Sequence, residues 1–423
     1  MNEVEVVGVR DEYVAVASER PWIFGLLIAP MAVLANGLFQ GALSYLLRQQ
    51  GVPIERIGEI VGLLILPQTI YFLWSPITDF LLPRRTWLIL GSMAGAVTVA
   101  IAFRQKNLAS PAAVGLMFFG GCLTQLVVSS AGGMMGAVKN ERNRRLAGSF
   151  YQGGSLAFGA LAIYVLTAMA AKVSQGELGW IVAALVGLPS LVALWAPKQE
   201  PIVDQRFGET MLRVWREFKG TFLRWKALPY TLCMLFPMAS GAAIGLLPGI
   251  AQDYGVSGQQ VGWMNGLGGA LLTAAGALAA TLIPARIRAT VGYLSLGILN
   301  CVTLGVLWLG PQTPVNYFIG VTLYLFTIGT CYAMFTAVIL EFLGDSGKSG
   351  SGRYAIINSL GNVPVAYMTT LDGWGGKHFG PRGLPGTEAV VGAVGASILL
   401  GYFLTRKRGE TAAEERAEVV AGK

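Results

Sequence analysis

The chain has 423 residues, 54% of them hydrophobic and only 13% charged, with a net charge of +8 and a mean hydropathy of +0.57. Soluble domains carry about 25% charged residues, so this composition excludes a disordered chain and argues against a soluble enzyme. The length accommodates about a dozen membrane helices of roughly 20 residues each, and the 56 glycines suit helices whose backbones approach closely.

Twelve apolar segments follow in chain order. They cover 22–47, 54–80, 87–103, 111–138, 146–171, 178–195, 228–254, 260–283, 290–309, 316–343, 354–374 and 388–404. An all-α membrane protein with twelve transmembrane helices in two six-helix halves, 22–195 and 228–405, is the expected architecture. Residues 1–21 are polar, carry no signal-peptide cleavage pattern, and read as a cytoplasmic tail; 406–423 read as a second. Between the halves, in 196–227, Met211, Trp215, Phe218, Phe222 and Trp225 recur at helical spacing, while Arg213, Arg216, Lys219 and Lys226 fall off that stripe. This pattern predicts a basic amphipathic linker helix lying on an anionic inner leaflet, or a helix that simply joins the halves.

Sorting the basic residues by loop sets the orientation. Arg48, Arg56, Arg104, Lys106, Lys172, Lys377 and Arg382 fall on one side, leaving 24 of the 31 on the other. Basic residues collect on the cytoplasmic side, so both termini are expected there. The four cysteines lie in apolar stretches without metal spacing, and the single histidine, His378, falls in a polar loop. No nucleophile–base set, phosphate loop or metal cluster is visible. No enzyme chemistry, cofactor, metal or nucleic-acid partner is therefore expected.

Ionisable groups inside a membrane are costly and functional by default. Setting aside those at the outermost segment ends, four acids lie within the spans or at their cytoplasmic shoulders: Glu59, Asp79, Glu341 and Asp372. Glu59 and Asp372, both placed toward the basic-poor side, are the candidates for proton coupling. No Lys or Arg lies deep in a span, so a strongly anionic substrate lacks the expected fork of cations. Polar groups that serve as helix glue or cavity lining are Asn36 and Gln40, Gln68 and Tyr71, Gln125, Tyr151, Gln152, Asn265, Asn358 and Asn362.

The two halves also align with each other. Residues 51–62 (GVPIERIGEIVG) match 255–266 (GVSGQQVGWMNG) without gaps, sharing Gly51/Gly255, Val52/Val256, Gly58/Gly262 and Gly62/Gly266. Pro30-Met31-Ala32 matches Pro237-Met238-Ala239, and Arg145, Ala147 and Gly153 match Arg353, Ala355 and Gly361. Two six-helix halves in a parallel repeat resemble the major facilitator architecture, in which a midplane site is exposed alternately to each side. By that resemblance Asn36, Gln40, Gln125 and Tyr332 rank first as cavity residues.

Two stretches narrow the resemblance. Asp79 with Arg84 and Arg85 is similar to the facilitator loop signature between helices two and three, with Ser75 and Phe80 replacing the usual glycine and basic residue. The resemblance implies a cytoplasmic gate of Asp79, Arg84, Arg85, Arg145, Glu341 and Arg353. Residues 72–87 (FLWSPITDFLLPRRTW) and 353–373 (RYAIINSLGNVPVAYMTTLDG) resemble the muropeptide permease branch, the second also acetyl-coenzyme A transporters. This implies a monomeric permease of the bacterial inner membrane that imports a sizeable polar solute such as a cell-wall fragment, with protons as the coupling ion. The competing expectations are a facilitator of another solute (a siderophore, a sugar or a drug-like compound), a non-transporting receptor or scaffold on the same fold, and an intramembrane enzyme.

Overall fold

The computed structural model describes residues 20–136, 138, 141–196, 208–209, 212, 215–216, 219–220, 228–284, 286–343 and 350–421. Within these, the side chains of 136, 141–142, 144–145, 340–343, 350–358 and 406–421 lie outside the description. The described residues are helical throughout, with no strand. The first half comprises α1 Ile23–Gln49, α2 Ile54–Leu73, α3 Arg84–Phe103, α4 Pro111–Gly136, α5 Glu141–Met169 and α6 Gln175–Trp195. The second comprises α7 in two pieces, α7a Leu228–Leu235 and α7b Ala242–Ile250, then α8 Gly258–Leu282, α9 Ala289–Leu309, α10 Pro314–Leu343, α11 Gly350–Phe379 and α12 Gly383–Ala421.

Ten of these helices are long and apolar enough to cross a bilayer. The other two differ for physical reasons. The seventh segment, read from the sequence as one span, is broken. Pro237 removes a backbone donor, and Ala239 and Gly241 adopt left-handed φ values of 49° and 77°. The eleventh is a continuous 30-residue helix whose Asn362, Asp372 and Lys377 lower its hydropathy. It also takes in His378, which is therefore helical rather than in a loop: its Nδ1 lies 2.9 Å from the Trp374 carbonyl, and its ring stacks on Trp374. Large apolar side chains such as Trp180, Leu188, Leu271, Leu309 and Val394 point outward, as a lipid-covered surface requires.

The internal repeat has a structural cause. Gly51 and Gly255 end α1 and α7 at φ 75° and 73°, a conformation that glycine adopts without strain. Gly58 lets α2 meet α11: a Cβ there would lie 2.8 Å from the Thr369 carbonyl oxygen and 2.9 Å from the Gly373 Cα. Its counterpart Gly262 lets α8 meet α5 at Tyr164 and Thr167. The repeated glycines thus seal one half against the other on the basic-poor side. Two ion pairs cross the same seam: Arg48 to Asp253 at 3.2 Å and Lys377 to Glu55 at 2.8 Å.

In the linker, the described residues 208–209, 212, 215–216 and 219–220 are helical and exposed, and the Lys219 ammonium sits 5.1 Å over the Trp215 ring. Met211, Arg213, Phe218, Phe222, Trp225 and Lys226 lie outside the described residues.

Candidate functional site

A cavity of about 470 Å³ lies between the halves, a size typical of small-molecule sites. Its walls come from α1, α2 and α5 on one side and from α7, α8, α9, α10 and α11 on the other. Every one of these wall positions lies along its helix toward the basic-rich side of the glycine seam, so the halves close beyond the cavity on the basic-poor side.

Seven of the sequence-predicted residues line it: Asn36, Gln40, Gln68, Gln152, Asn265, Tyr332 and Asn362. Local geometry explains how three of them point inward. Asn36 and Gln40 sit on a π-helical stretch of α1, Ala32–Ala42, and Asn265 on another in α8, Gly262–Leu267. Such widened turns re-aim side chains and frequent functional sites. The Asn36 amide donates to the Ser155 hydroxyl at 3.2 Å, which ties α1 to α5 across one wall. The Gln68 Nε2 is buried without a partner among the described residues. Asn265 Oδ1 lies 2.9 Å from the Tyr317 hydroxyl, which also reaches the Leu247 carbonyl at 3.1 Å. Tyr317 has a single proton, so both contacts are satisfied when the amide turns its nitrogen to the phenol.

Ser155, Ser240, Thr273, Tyr293 and Thr336 also line the cavity, and sequence reasoning missed them because hydroxyls in membrane helices usually bond back to their own helix. Among the described residues, no Lys, Arg, Asp or Glu is part of the lining. The site is built to hydrogen-bond an uncharged or weakly charged polar surface, with Tyr293, Phe236, Tyr332 and Phe335 supplying apolar faces.

Other predicted residues lie elsewhere. Tyr151 packs in an apolar cluster with Leu27, Leu88 and Val127. Tyr71 and Gln125 are buried away from the cavity lining. The side chains of Asn358, Arg145, Glu341 and Arg353 lie outside the described residues. Asp79 accepts from the Arg84 Nε at 3.0 Å, within the same half, and the Arg84 guanidinium lies over Gly133 of α4, where any side chain would collide with it. Arg85 is half-buried beside them.

The two proton-coupling candidates part company. Glu59 is exposed and bonded to Arg56 at 2.6 Å. Asp372, expected near a solvated outer end, is 0% exposed. Beside it stands Glu388, 2% exposed and within hydrogen-bond reach of its carboxyl. Glu388 corrects the tally of four membrane acids. The hydropathy reading put it at the very start of the last segment, but α12 begins at Gly383, more than a turn earlier. An acid followed by seventeen residues without a charge was the signal that could have found it.

Glu388 holds the break in α7. Its Oε2 accepts from the Ala243 N–H at 2.7 Å, and its Oε1 from the Ser240 and Tyr324 hydroxyls at 3.1 and 3.0 Å. The Tyr293 hydroxyl donates to the Met238 carbonyl at 3.1 Å, and that of Tyr367 to the Leu235 carbonyl at 2.7 Å. Backbone groups freed at a break inside a membrane must be satisfied by neighbouring helices, and here α9, α10, α11 and α12 supply the partners.

The comparisons agree with this architecture. The family model of the Major Facilitator Superfamily matches residues 25–366. The anhydromuropeptide permeases of Escherichia coli strains K12 and O157:H7 are each 24% identical, over 82% of this chain and 73% of theirs. Among solved structures, the nucleoside transporter NupG superposes with a TM-score of 0.68 at 13% identity, covering 92% of this chain and 98% of its own. A POT family transporter in complex with a thioalcohol-conjugated peptide gives 0.63 at 12% identity, covering 93% and 96%. The twelve-segment helical fold, the cavity between repeated halves and the family match together place the chain in the Major Facilitator Superfamily.

Proposed function

We propose that this secondary transporter of a polar solute imports a sizeable hydrogen-bonding compound of the anhydromuropeptide type across a bacterial inner membrane, with protons as the driving ion and Asp372 on their route. The observation that carries the reading is the cavity between the halves, walled by amides and hydroxyls and, among the described residues, free of fixed charge. A glycan–peptide conjugate offers hydroxyls and amides that such a wall can match, and apolar ring faces that the aromatic residues can cover. The phosphates of a coenzyme A conjugate find no cation among the described lining residues. A scaffold on this fold has no need of a polar cavity and would fill the space between the halves with side chains such as Leu, Phe and Met.

The basic-rich side is the cytoplasm on this reading. The sealed glycine seam then faces outward and the cavity opens inward, one end state of an alternating-access cycle. The Asp79–Arg84 pair and its basic neighbours form the inner gate that closes in the opposite state. The test is uptake into proteoliposomes of labelled anhydromuropeptide, a nucleoside and a dipeptide, with and without an imposed pH gradient. Gradient-stimulated uptake of the anhydromuropeptide alone supports the proposal. Equal or greater uptake of another solute reassigns the substrate, and uptake of none under either condition overturns the transport reading.

A further inference from the structure

The two carboxyls buried between α11, α12 and the break in α7 take no part in lining the cavity. We propose that Asp372 and Glu388 share one proton and that this proton holds the basic-poor side closed, making the pair the coupling element of the carrier; this rests on the transport reading above. Glu388 is furnished as a carboxylate. It receives three donors, one of them the Ala243 N–H at the start of α7b, where the helix dipole favours negative charge. Asp372 is the opposite case. It is fully buried, and neither of its oxygens meets a donor among the described residues.

No ion pair among the described residues involves either acid. Two touching carboxylates without a cation cannot both be ionised. A proton on Asp372, donated to Glu388, satisfies both. The titratable groups around the pair are Cys301 on α9 and Tyr324 and Tyr332 on α10. On α2, packed against α11, the charges are already paired: Glu55 with Lys377, and Arg56 with Glu59. On α7, Asp253 pairs with Arg48, and ahead of α12, Arg382 bears on Tyr254.

Position turns this proton into a switch. Asp372 is followed by Gly373, whose Cα rests on Gly58 of the opposite half. Ser240, which donates to Glu388, is itself part of the cavity wall. Loss of the shared proton leaves two negative charges in contact. The packing relieves them by moving α11 from α12, which pulls Gly373 off Gly58, or by moving the start of α7b, which shifts the wall at Ser240. A protonated pair therefore goes with closure on the basic-poor side, and a deprotonated pair with its release.

The test uses the full chain in lipid nanodiscs and needs no solute. Spin labels on Ala112→Cys and Gln312→Cys, in a Cys122→Ser background, report the distance between the halves on the basic-poor side. A protonated-carboxyl infrared band reports the proton. In the wild type, the band disappears and the labels separate over the same pH interval. Asp372→Asn, checked for folding by melting, abolishes the band, and both it and Glu388→Gln, checked likewise, abolish the pH response of the labels. Tyr324→Phe, which removes one donor to the carboxylate and preserves shape, moves the interval up by about one pH unit. An unchanged band and pH response in both acid variants overturns the proposal, as does separation driven by sodium at fixed pH. Failure of every trial solute to be taken up, with the band and distance response intact, removes the transport reading and leaves the proton site standing.

Discussion

Helices α1 and α7 occupy equivalent places in the two halves and carry the same Pro-Met-Ala triad, yet they fold differently. After Pro30-Met31-Ala32 the chain runs on through a π-helical stretch to Gln49. After Pro237-Met238-Ala239 it breaks, and helix resumes at Ala242. The difference lies two residues beyond the triad, where α1 has the fully buried Leu34 and α7 has Gly241 at φ 77°. A continuous α1 presents two amides to the solute. A broken α7 exposes backbone groups that other helices must hold, and one holder is an acid. On the proposed reading the two helices divide the labour: α1 offers amides to the cavity, and the break in α7 is held by the acid assigned to coupling.

The largest effect expected from breaking this contrast comes from Gly241→Val. A β-branched residue at positive φ is strained, and its side chain collides with the Tyr332 hydroxyl. Together these cost about 3 kcal/mol, read as a lowered melting temperature and an uptake rate reduced by about 100-fold. Next come the recognition residues. Asn36→Ala and Gln40→Ala should each raise KM about tenfold, the worth of a hydrogen bond to the solute, with the maximal rate retained. Ser240→Ala, on the α7 side, should instead lower the maximal rate and weaken its pH dependence. Uptake kinetics at several pH values separate the two patterns.

Smaller effects test the rims. Arg48 joins the end of α1 to Asp253 just after α7b. Both groups are partly exposed, so Arg48→Ala should cost at most about 1 kcal/mol, shifting the population open on the basic-poor side less than fivefold. That shift should vanish at high salt, as label distances can show. Smallest of all is Glu59→Gln. Glu59 is exposed and already bonded to Arg56, so pH-driven accumulation should change by less than twofold, the opposite of Asp372→Asn. Equal losses in both would erase the distinction between a surface acid and a buried one.

Much of the architecture was legible in the sequence because bilayer thickness enforces long apolar runs, and the seam glycines repeat in both halves. Six cavity residues were legible too, because an amide inside an apolar helix stands out, and Tyr332 followed from the family resemblance. The break in α7 was harder to read, since Pro and Gly occur in continuous membrane helices as well. Glu388 escaped because hydropathy marks where apolar character begins, not where the helix does. Asp372 was placed on the right helix but at the wrong burial, because solvent exposure depends on what packs against α11.

The sequence by itself determined the number of apolar segments, the asymmetry of basic residues and the duplication of the halves, all of which follow from local composition and spacing. Only the tertiary structure decided which amides share a cavity, which ion pairs span the seam, and that Asp372 meets Glu388. Those facts depend on how helices distant in the chain turn their faces to one another, and that is settled by side-chain packing across the whole bundle.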